Sequence, residues 1–262
     1  MDSIRIRSGS GLGDNLYMQS IVNYLVKQGK KMIVSTAFPD MFSHLPVEVC
    51  AFSKLNANMV SHYTTRKHIK ETSQFEDCCI NCNVPTDIPL KLDWRYRHSE
   101  ITKQILKQAG SKKIVVVAQP RVPFGRHDNF GIELMPEEKP FLKCVEMLMD
   151  AGYFIVRTGN LRPFWEVPCH FDAAFKIKLP GKFDIAHITS GYFGQVSSII
   201  PIGESFGKPV LSMLSRKGLN SKNPFISSIT PEKVNHYKKT SLTMIDDGSL
   251  ENKVAEFCKL IG

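Results

Sequence analysis

The chain has 262 residues, 42% apolar and 23% charged, a composition close to that of soluble globular proteins that excludes intrinsic disorder, collagen-like repeats and long coiled coils. Lysine and arginine outnumber aspartate and glutamate by 34 to 25, and the net charge of +9 attracts anions, whether nucleotide phosphates, acidic head groups or nucleic acid, without choosing among them. No apolar run reaches the roughly 18 residues needed to cross a bilayer, and Met1-Asp2-Ser3 leads into a strand-like segment with no signal-peptide core, so a cytoplasmic location is expected.

The opening reads strand, glycine turn, helix. Residues 4–7 are strand-like, Ser8-Gly9-Ser10-Gly11-Leu12-Gly13 forms a turn, and residues 14–28 place Leu16, Ile21, Val22, Leu25 and Val26 on one side of a helix that Gly29 stops. Residues 31–36 then give a short apolar strand, so 4–36 form one βαβ unit whose right-handed crossover implies a parallel sheet. Residues 47–52 and 90–94 are further strand candidates, whereas Pro85, Pro89 and the basic stretch 64–70 point to loops. A helix over 100–109 closes on Gly110-Ser111, which marks the expected domain boundary.

The same alternation then starts again. Residues 114–118 (IVVVA) form a buried-strand run, a helix extends from Pro136 to Ala151, Gly152 ends it, and 153–158 form the next strand. A short helix over 183–189, a strand over 192–196, a helix over 199–206 containing Pro201 and Gly203, a strand over 209–214 and a closing helix over 250–261 complete the pattern. The expected class is α/β, with two tandem Rossmann-like, doubly wound domains at 1–110 and 111–248 and a C-terminal helix at 249–262.

The sharpest local signal is Gly9-Ser10-Gly11-Leu12-Gly13-Asp14 between a strand and a helix, where glycines permit a tight turn and free helix N–H groups face an anion. The alternative is a plain β–α turn with Asp14 as the helix N-cap. A dinucleotide fingerprint would need glycine at position 14 and an acid after the second strand, where Ser35-Thr36-Ala37 stands, so NAD is disfavoured. An S-adenosylmethionine-dependent methyltransferase would want an acid where Arg7 lies, and ranks lower than a glycosyltransferase. Gly203-Glu204-Ser205-Phe206-Gly207-Lys208-Pro209 lacks both the spacing and the Ser/Thr of a P-loop.

These segments, taken in order, resemble the ADP-heptose:lipopolysaccharide heptosyltransferase family, in divergent and shortened form. Ser8 to Leu16 looks like that family's G-x-G-D-x-L opening. Ile114 to Ala118 with Gln119-Pro120-Arg121, then residues 136–152 and the strand leading to Thr158-Gly159-Asn160, are similar to its C-terminal domain. Residues 183–214 resemble its closing D-S-G-P-M-H-L-A turn and G-x-P-V end, with Val196 at the aspartate, Ser197 keeping the serine, Ser198 at the glycine and Pro201 at the histidine.

The resemblance implies a GT-B fold, two Rossmann-like domains facing a cleft, and an inverting, metal-independent glycosyltransferase that needs no cofactor beyond a nucleotide-diphosphate-sugar co-substrate. It implies Asp14 as general base, because a carboxylate at the end of the first strand can take a proton from the acceptor hydroxyl. Gly11, Gly13, Arg121, Arg126, Thr158, Gly159, Asn160, Ser197, Ser198 and Glu204 are the corresponding donor-side candidates. The basic stretch containing Arg66 and Lys67, together with Trp94 and Arg95, suits an anionic acceptor: a phosphorylated glycan core, or DNA carrying a hydroxylated base. The altered 196–201 turn keeps open a non-catalytic nucleotide- or nucleic-acid-binding module with the same fold.

Seven scattered cysteines in a chain large enough to fold without cross-links are expected to be reduced. Cys79-Ile80-Asn81-Cys82 is a C-x-x-C pair, but it has no second pair at zinc-site spacing, so unliganded thiols are expected.

Overall fold

A computed structural model describes residues 3–9, 11–52, 57–61, 72–120, 135–159, 165–174, 176–220, 222, 241–245 (backbone) and 249–262. The chain divides into two compact units, Met1–Trp94 and Arg95–Gly262.

The first unit holds β1 (Ile4–Ser8), α1 (Leu12–Lys27), β2 (Met32–Thr36), β3 (Glu48–Ala51), β4 (Met59–Ser61) and α2 (Gln74–Asn81). Its strands lie in the order β3-β2-β1-β4, every pair parallel. This is the 3-2-1-4 start of a doubly wound sheet, in which the strand order reverses between β1 and β4. Leu16, Met18, Ile21 and Val22 of α1 are buried with Ile6, Val34, Phe42 and Phe75. Gly29, at φ +74, ends that helix in a conformation few side chains tolerate. α2 begins with a capping box: Glu76 N donates to Ser73 Oγ, and Ser73 N donates to Glu76 Oε2 at 2.6 Å.

Among the described residues, 90–94 pair with no strand. Part of their backbone is satisfied by side chains of α1 instead. Lys91 N donates to Ser20 Oγ at 3.1 Å and Asp93 N to Gln19 Oε1 at 3.1 Å, while Gln19 Nε2 also donates to Met41 O. Two buried polar side chains on a helix thereby serve as the hydrogen-bonding edge that a neighbouring strand would have supplied.

The second unit contains α3 (Glu100–Ala109), β5 (Ile114–Ala118), α4 (Glu138–Asp150), β6 (Phe154–Thr158), β7 (Phe171–Asp172), α5 (Leu179–Ile188), β8 (Gly191–Gln195), α6 (Ile199–Ser205), β9 (Val210–Leu214), α7 (Arg216–Leu219), β10 (Ser241–Ile245) and α8 (Leu250–Ile261). Its parallel sheet runs β10-β9-β8-β5-β6-β7. Numbered within the unit, this is the 3-2-1-4-5-6 order of a complete Rossmann sheet, reversing between β5 and β8. Val115, Val117, Phe193, Leu211 and Met213 form the centre of a core closed by Phe141, Val145 and Leu148 of α4 and by Leu250, Val254 and Phe257 of α8. Helix α8 therefore packs as part of this unit. Helix α6 approaches the sheet closely because position 203 is glycine: a Cβ there would lie 2.3 Å from Val210 Cγ2.

The division falls after Trp94, whereas the sequence placed it after Gly110. The reason is Asp184 of α5, only 1% exposed, which accepts hydrogen bonds from Arg97 N at 3.1 Å and Ser99 N at 3.2 Å. These bonds tie the segment leading into α3 to the second unit. A buried carboxylate without such donors would be costly.

The edge strand β7 is secured by polar groups. Arg157 donates to both carboxylate oxygens of Asp172, at 3.2 and 2.7 Å, and Asp172 also accepts from Ala174 N. The Arg157 guanidinium holds the Asp172 carboxyl below the usual carboxylate range. Nearby, Ile155 N donates to His170 Nδ1 at 2.9 Å and the imidazole stacks on Phe154 at 5.1 Å.

That bond requires an unprotonated Nδ1, and burial, followed by the Lys112 charge, lowers the His170 pKa. Below the ordinary imidazole value of about 6.5 the unfolded chain therefore binds a proton that the native state resists. Stability contributed by His170 is present above that value and is lost as the pH falls toward and through the lowered native one. Urea unfolding at pH 7.5 and 5.5 is expected to show a smaller pH-dependent loss in His170→Asn, whose amide oxygen accepts the same bond and does not titrate.

Candidate functional site

In doubly wound sheets ligands gather beyond the carboxyl ends of the strands where the strand order reverses. In the first unit that place lies between β1 and β4, whose last residues, Ser8 and Ser61, are register partners. Helix α1 starts at Leu12 with Gly11 as its N-cap, so Asp14 is the third residue of the first turn and not the cap. Its carboxylate folds back over the turn. A Cβ on Gly9 would lie 2.2 Å from Asp14 Oδ2, and one on Gly11 would lie 3.0 Å from it. A side chain at position 9 would thus turn the carboxylate away, and one at position 11 would crowd it.

Asn15, unremarked in the sequence reading, holds this turn. It is fully buried, and its Nδ2 donates to Gly9 O at 3.1 Å and to Gly11 O at 2.7 Å. Its Oδ1 accepts from Thr36 Oγ1 at 2.7 Å, and Thr36 Oγ1 accepts from Phe38 N at 2.9 Å. The signal available in the sequence is an amide at the second-strand-facing position of the first turn, opposite the threonine that ends β2. Gly13, just before Asp14 in the same first turn, is half-buried.

Beneath the turn lie Ser61 and the thiols of α2. Cys78 feels the Asp14 charge. Burial pushes the Cys79 and Cys82 thiols up to about 12 and Cys78 well above its ordinary value, so all three are neutral thiols. They are neither nucleophiles nor thiolate ligands in this state. All seven cysteines are free. Among the described residues no group of three or more His, Cys, Asp or Glu side chains is arranged to hold a metal ion.

In the second unit the reversal lies between β5 and β8. Thr158 ends β6, and its carbonyl accepts from Gln119 N at 3.0 Å. Gly159 follows, with a Cβ there 3.4 Å from Gln119 Cβ. Gln195 ends β8 and is 7% exposed, with its Oε1 buried and making no hydrogen bond among the described residues. Ser197 and the N-cap Ser198 of α6 follow it, both half-buried, and the Ser198 side chain makes no capping bond. Thr158, Gly159, Ser197 and Ser198 thus share one edge of this sheet with Gln119 and Gln195. The two glutamines are each the first polar residue after an apolar strand run, and that pattern marks the end of the sheet. Glu204 lies deeper, on α6, at 2% exposure.

The remaining candidates are dispersed. Trp94 is 7% exposed and belongs to the core of the first unit, which leaves its indole no open face for an acceptor. Arg95 is exposed and begins the second unit. Arg66, Lys67, Arg121, Arg126 and Asn160 lie outside the described residues. Among the described residues no helix is long and apolar enough to cross a membrane.

No protein-family model matches the sequence, and no curated protein sequence does. Solved structures do. The iron-containing dodecameric glycosyltransferase TibC from enterotoxigenic E. coli H10407 superposes at TM-score 0.64 with 12% identity, over 92% of this chain and 62% of TibC. The chain therefore spans less than two thirds of the length of TibC. The E. coli ADP-heptose LPS heptosyltransferase II gives TM-score 0.62 with 12% identity, over 99% and 98% of the two chains. The glycosyl transferase family 9 protein from Veillonella parvula DSM 2008 gives 0.63 with 11% identity, over 98% and 91%. Two Rossmann-like units with these strand orders, superposing on these enzymes along almost the whole chain, give this protein the GT-B fold in its heptosyltransferase-like form.

Proposed function

We propose that the chain transfers a sugar from a nucleotide diphosphate to a hydroxyl acceptor, with inversion at the anomeric carbon and without a metal ion. The observation that carries this reading is the Asp14 carboxylate seated over a glycine turn at the carboxyl end of β1. There it takes the acceptor hydroxyl proton as the oxygen attacks the anomeric carbon. The bond to the diphosphate breaks on the opposite face, its electron pair leaves with the nucleoside diphosphate, and the configuration inverts.

The charge that develops on the leaving group calls for preorganised donors. Ser197, Ser198, Thr158 and the amide of Gln195 stand at the edge of the second sheet suited to that task. Arg121, Arg126 and Asn160 belong to the same proposal through their positions after β5 and β6 in the sequence. TibC has been solved in complex with ADP-D-beta-D-heptose, which makes adenosine diphosphate the first nucleotide to test. On the acceptor side, the net charge of +9 and the exposed Arg95, with Arg66 and Lys67, favour an anionic molecule, either a phosphorylated glycan or DNA with a hydroxylated base.

Thermal melting with ADP, UDP, GDP and S-adenosylmethionine tests this reading. A ligand at 100 times its dissociation constant stabilises by about 2.7 kcal/mol, a rise of roughly 5–11 °C for a unit of this size. ADP is expected to give the largest shift, and sugar transfer is expected to persist in EDTA. A shift with S-adenosylmethionine alone would favour the methyltransferase reading, and no shift with any nucleotide would favour the non-catalytic module.

A further inference from the structure

The Asp14 carboxylate is not placed by its own helix turn alone. The backbone carbonyls of Gly9 and Gly11 converge on a single donor, Asn15 Nδ2, at 3.1 and 2.7 Å. One amide nitrogen with two hydrogens spans both ends of the turn and draws them together. The dish so formed is the surface on which Asp14 Oδ2 rests, 2.2 Å from where a Cβ on Gly9 would stand and 3.0 Å from one on Gly11.

The amide can make these bonds in one orientation only, because turned over it would present its oxygen to two carbonyl oxygens. Thr36 fixes that orientation. Its hydroxyl accepts from Phe38 N and must therefore donate its single hydrogen onward, to Asn15 Oδ1 at 2.7 Å. Asn15 and Thr36 are 0% and 3% exposed, so water does not replace a lost partner without rearrangement. The chain of bonds runs Phe38 N, Thr36 hydroxyl, Asn15 amide, turn carbonyls, and it joins the end of β2 to the end of β1.

From this geometry we infer that Asn15 and Thr36 are positioning residues for the Asp14 carboxylate: they set the shape of the turn that seats it and touch no substrate themselves. The inference rests on the reading of Asp14 as general base for its consequence on turnover, and on the hydrogen-bond geometry alone for its consequence on the carboxylate.

The test uses the full chain and the variants Asn15→Ala, Thr36→Val and Thr36→Ser. Valine matches threonine in shape and removes the hydroxyl, whereas serine keeps it. The first readout is the 13C carboxyl resonance of Asp14, assigned by its loss in Asp14→Asn and measured without substrate. It is expected to move in Thr36→Val and in Asn15→Ala and to stay at its wild-type position in Thr36→Ser.

The second readout is release of ADP from ADP-heptose, with water as acceptor. Here kcat is expected to fall tenfold or more in Thr36→Val with KM for the donor unchanged, and to be restored in Thr36→Ser. An unmoved resonance in a folded Thr36→Val protein, or a Thr36→Ser protein as perturbed as Thr36→Val, would overturn the inference. An Asp14→Asn protein with full turnover sinks the general-base reading instead, and leaves the resonance comparison to decide the positioning role alone. If Asn15→Ala fails to fold, the Thr36 pair still decides.

Discussion

Asp14→Asn is expected to lower sugar transfer by about 10²–10⁴-fold, the usual contribution of a positioned general base, while the melting temperature stays close to that of the wild type. The amide keeps the shape of the carboxylate over Gly9 and Gly11 and the helix beneath it, so the loss isolates proton acceptance from folding. The turnover number is expected to carry the defect, because the residue acts as the acceptor oxygen attacks, while the affinity for donor nucleotide, read by the same thermal shifts used for wild type, is expected to hold. A variant that transfers sugar at the wild-type rate refutes the assignment of this side chain.

The largest expected effect on stability is at Phe193. It lies on β8 near the middle of the second sheet, fully buried, with its ring stacked on Phe141 at 4.7 Å and an interplanar angle of 29°. Truncation to alanine removes the apolar contact area and leaves a cavity that flanking strands cannot fill, a loss of about 3–5 kcal/mol. Set against a typical domain stability of about 5–15 kcal/mol, that leaves the second unit marginal. Urea unfolding is expected to show the transition of the second unit at markedly lower denaturant with the transition of the first unchanged, since the substituted side chain belongs to only one of two compact units. As a comparison, Leu106→Ala, on an exposed face of α3, is expected to change stability by no more than about 0.5 kcal/mol.

The regular strand and helix runs were legible because their local pattern and their tertiary role agree. IVVVA is short, continuous and β-branched, as a strand buried on both faces should be, and the structure makes it β5, flanked by β6 and β8. What the periodicity missed is informative in each case. Met59–Ser61 and Phe171–Asp172 are too short to show alternation, and both are edge strands held by a neighbour, the second by the Arg157–Asp172 pair. Helix α2 announces itself through Ser73 and Glu76, a capping box at the correct spacing, yet its eight residues contain four thiol or amide groups that blur the apolar face. Residues 90–94 read as a strand because alternate side chains, Leu90, Leu92 and Trp94, are buried. Alternation reports burial, and what satisfies part of the backbone of that segment is Gln19 and Ser20, which no pattern centred on the segment itself could reveal.

The same contrast governs the site. Asp14 was visible as a carboxylate after a glycine turn, a feature of neighbouring residues in the chain. Asn15 and Thr36 were not, because their importance depends on β1 and β2 being side by side, with Thr36 one residue beyond the register pair Arg7 and Ser35. Gln119 and Gln195 likewise become neighbours in meaning only when the strand order is known, and no chain-local rule joins the two.

Gly9 and Asp14 share one volume, and this binds their mutational fates together. A methyl group at position 9 collides with the carboxylate, but with alanine at position 14 only a Cβ remains, 3.5 Å away, an ordinary contact. A combinatorial library selected for folding should therefore admit Gly9→Ala with aspartate or alanine at position 14, because a turned carboxylate relieves the overlap. The same library selected for chemistry should reject Gly9→Ala in either company, which separates the two demands on this turn.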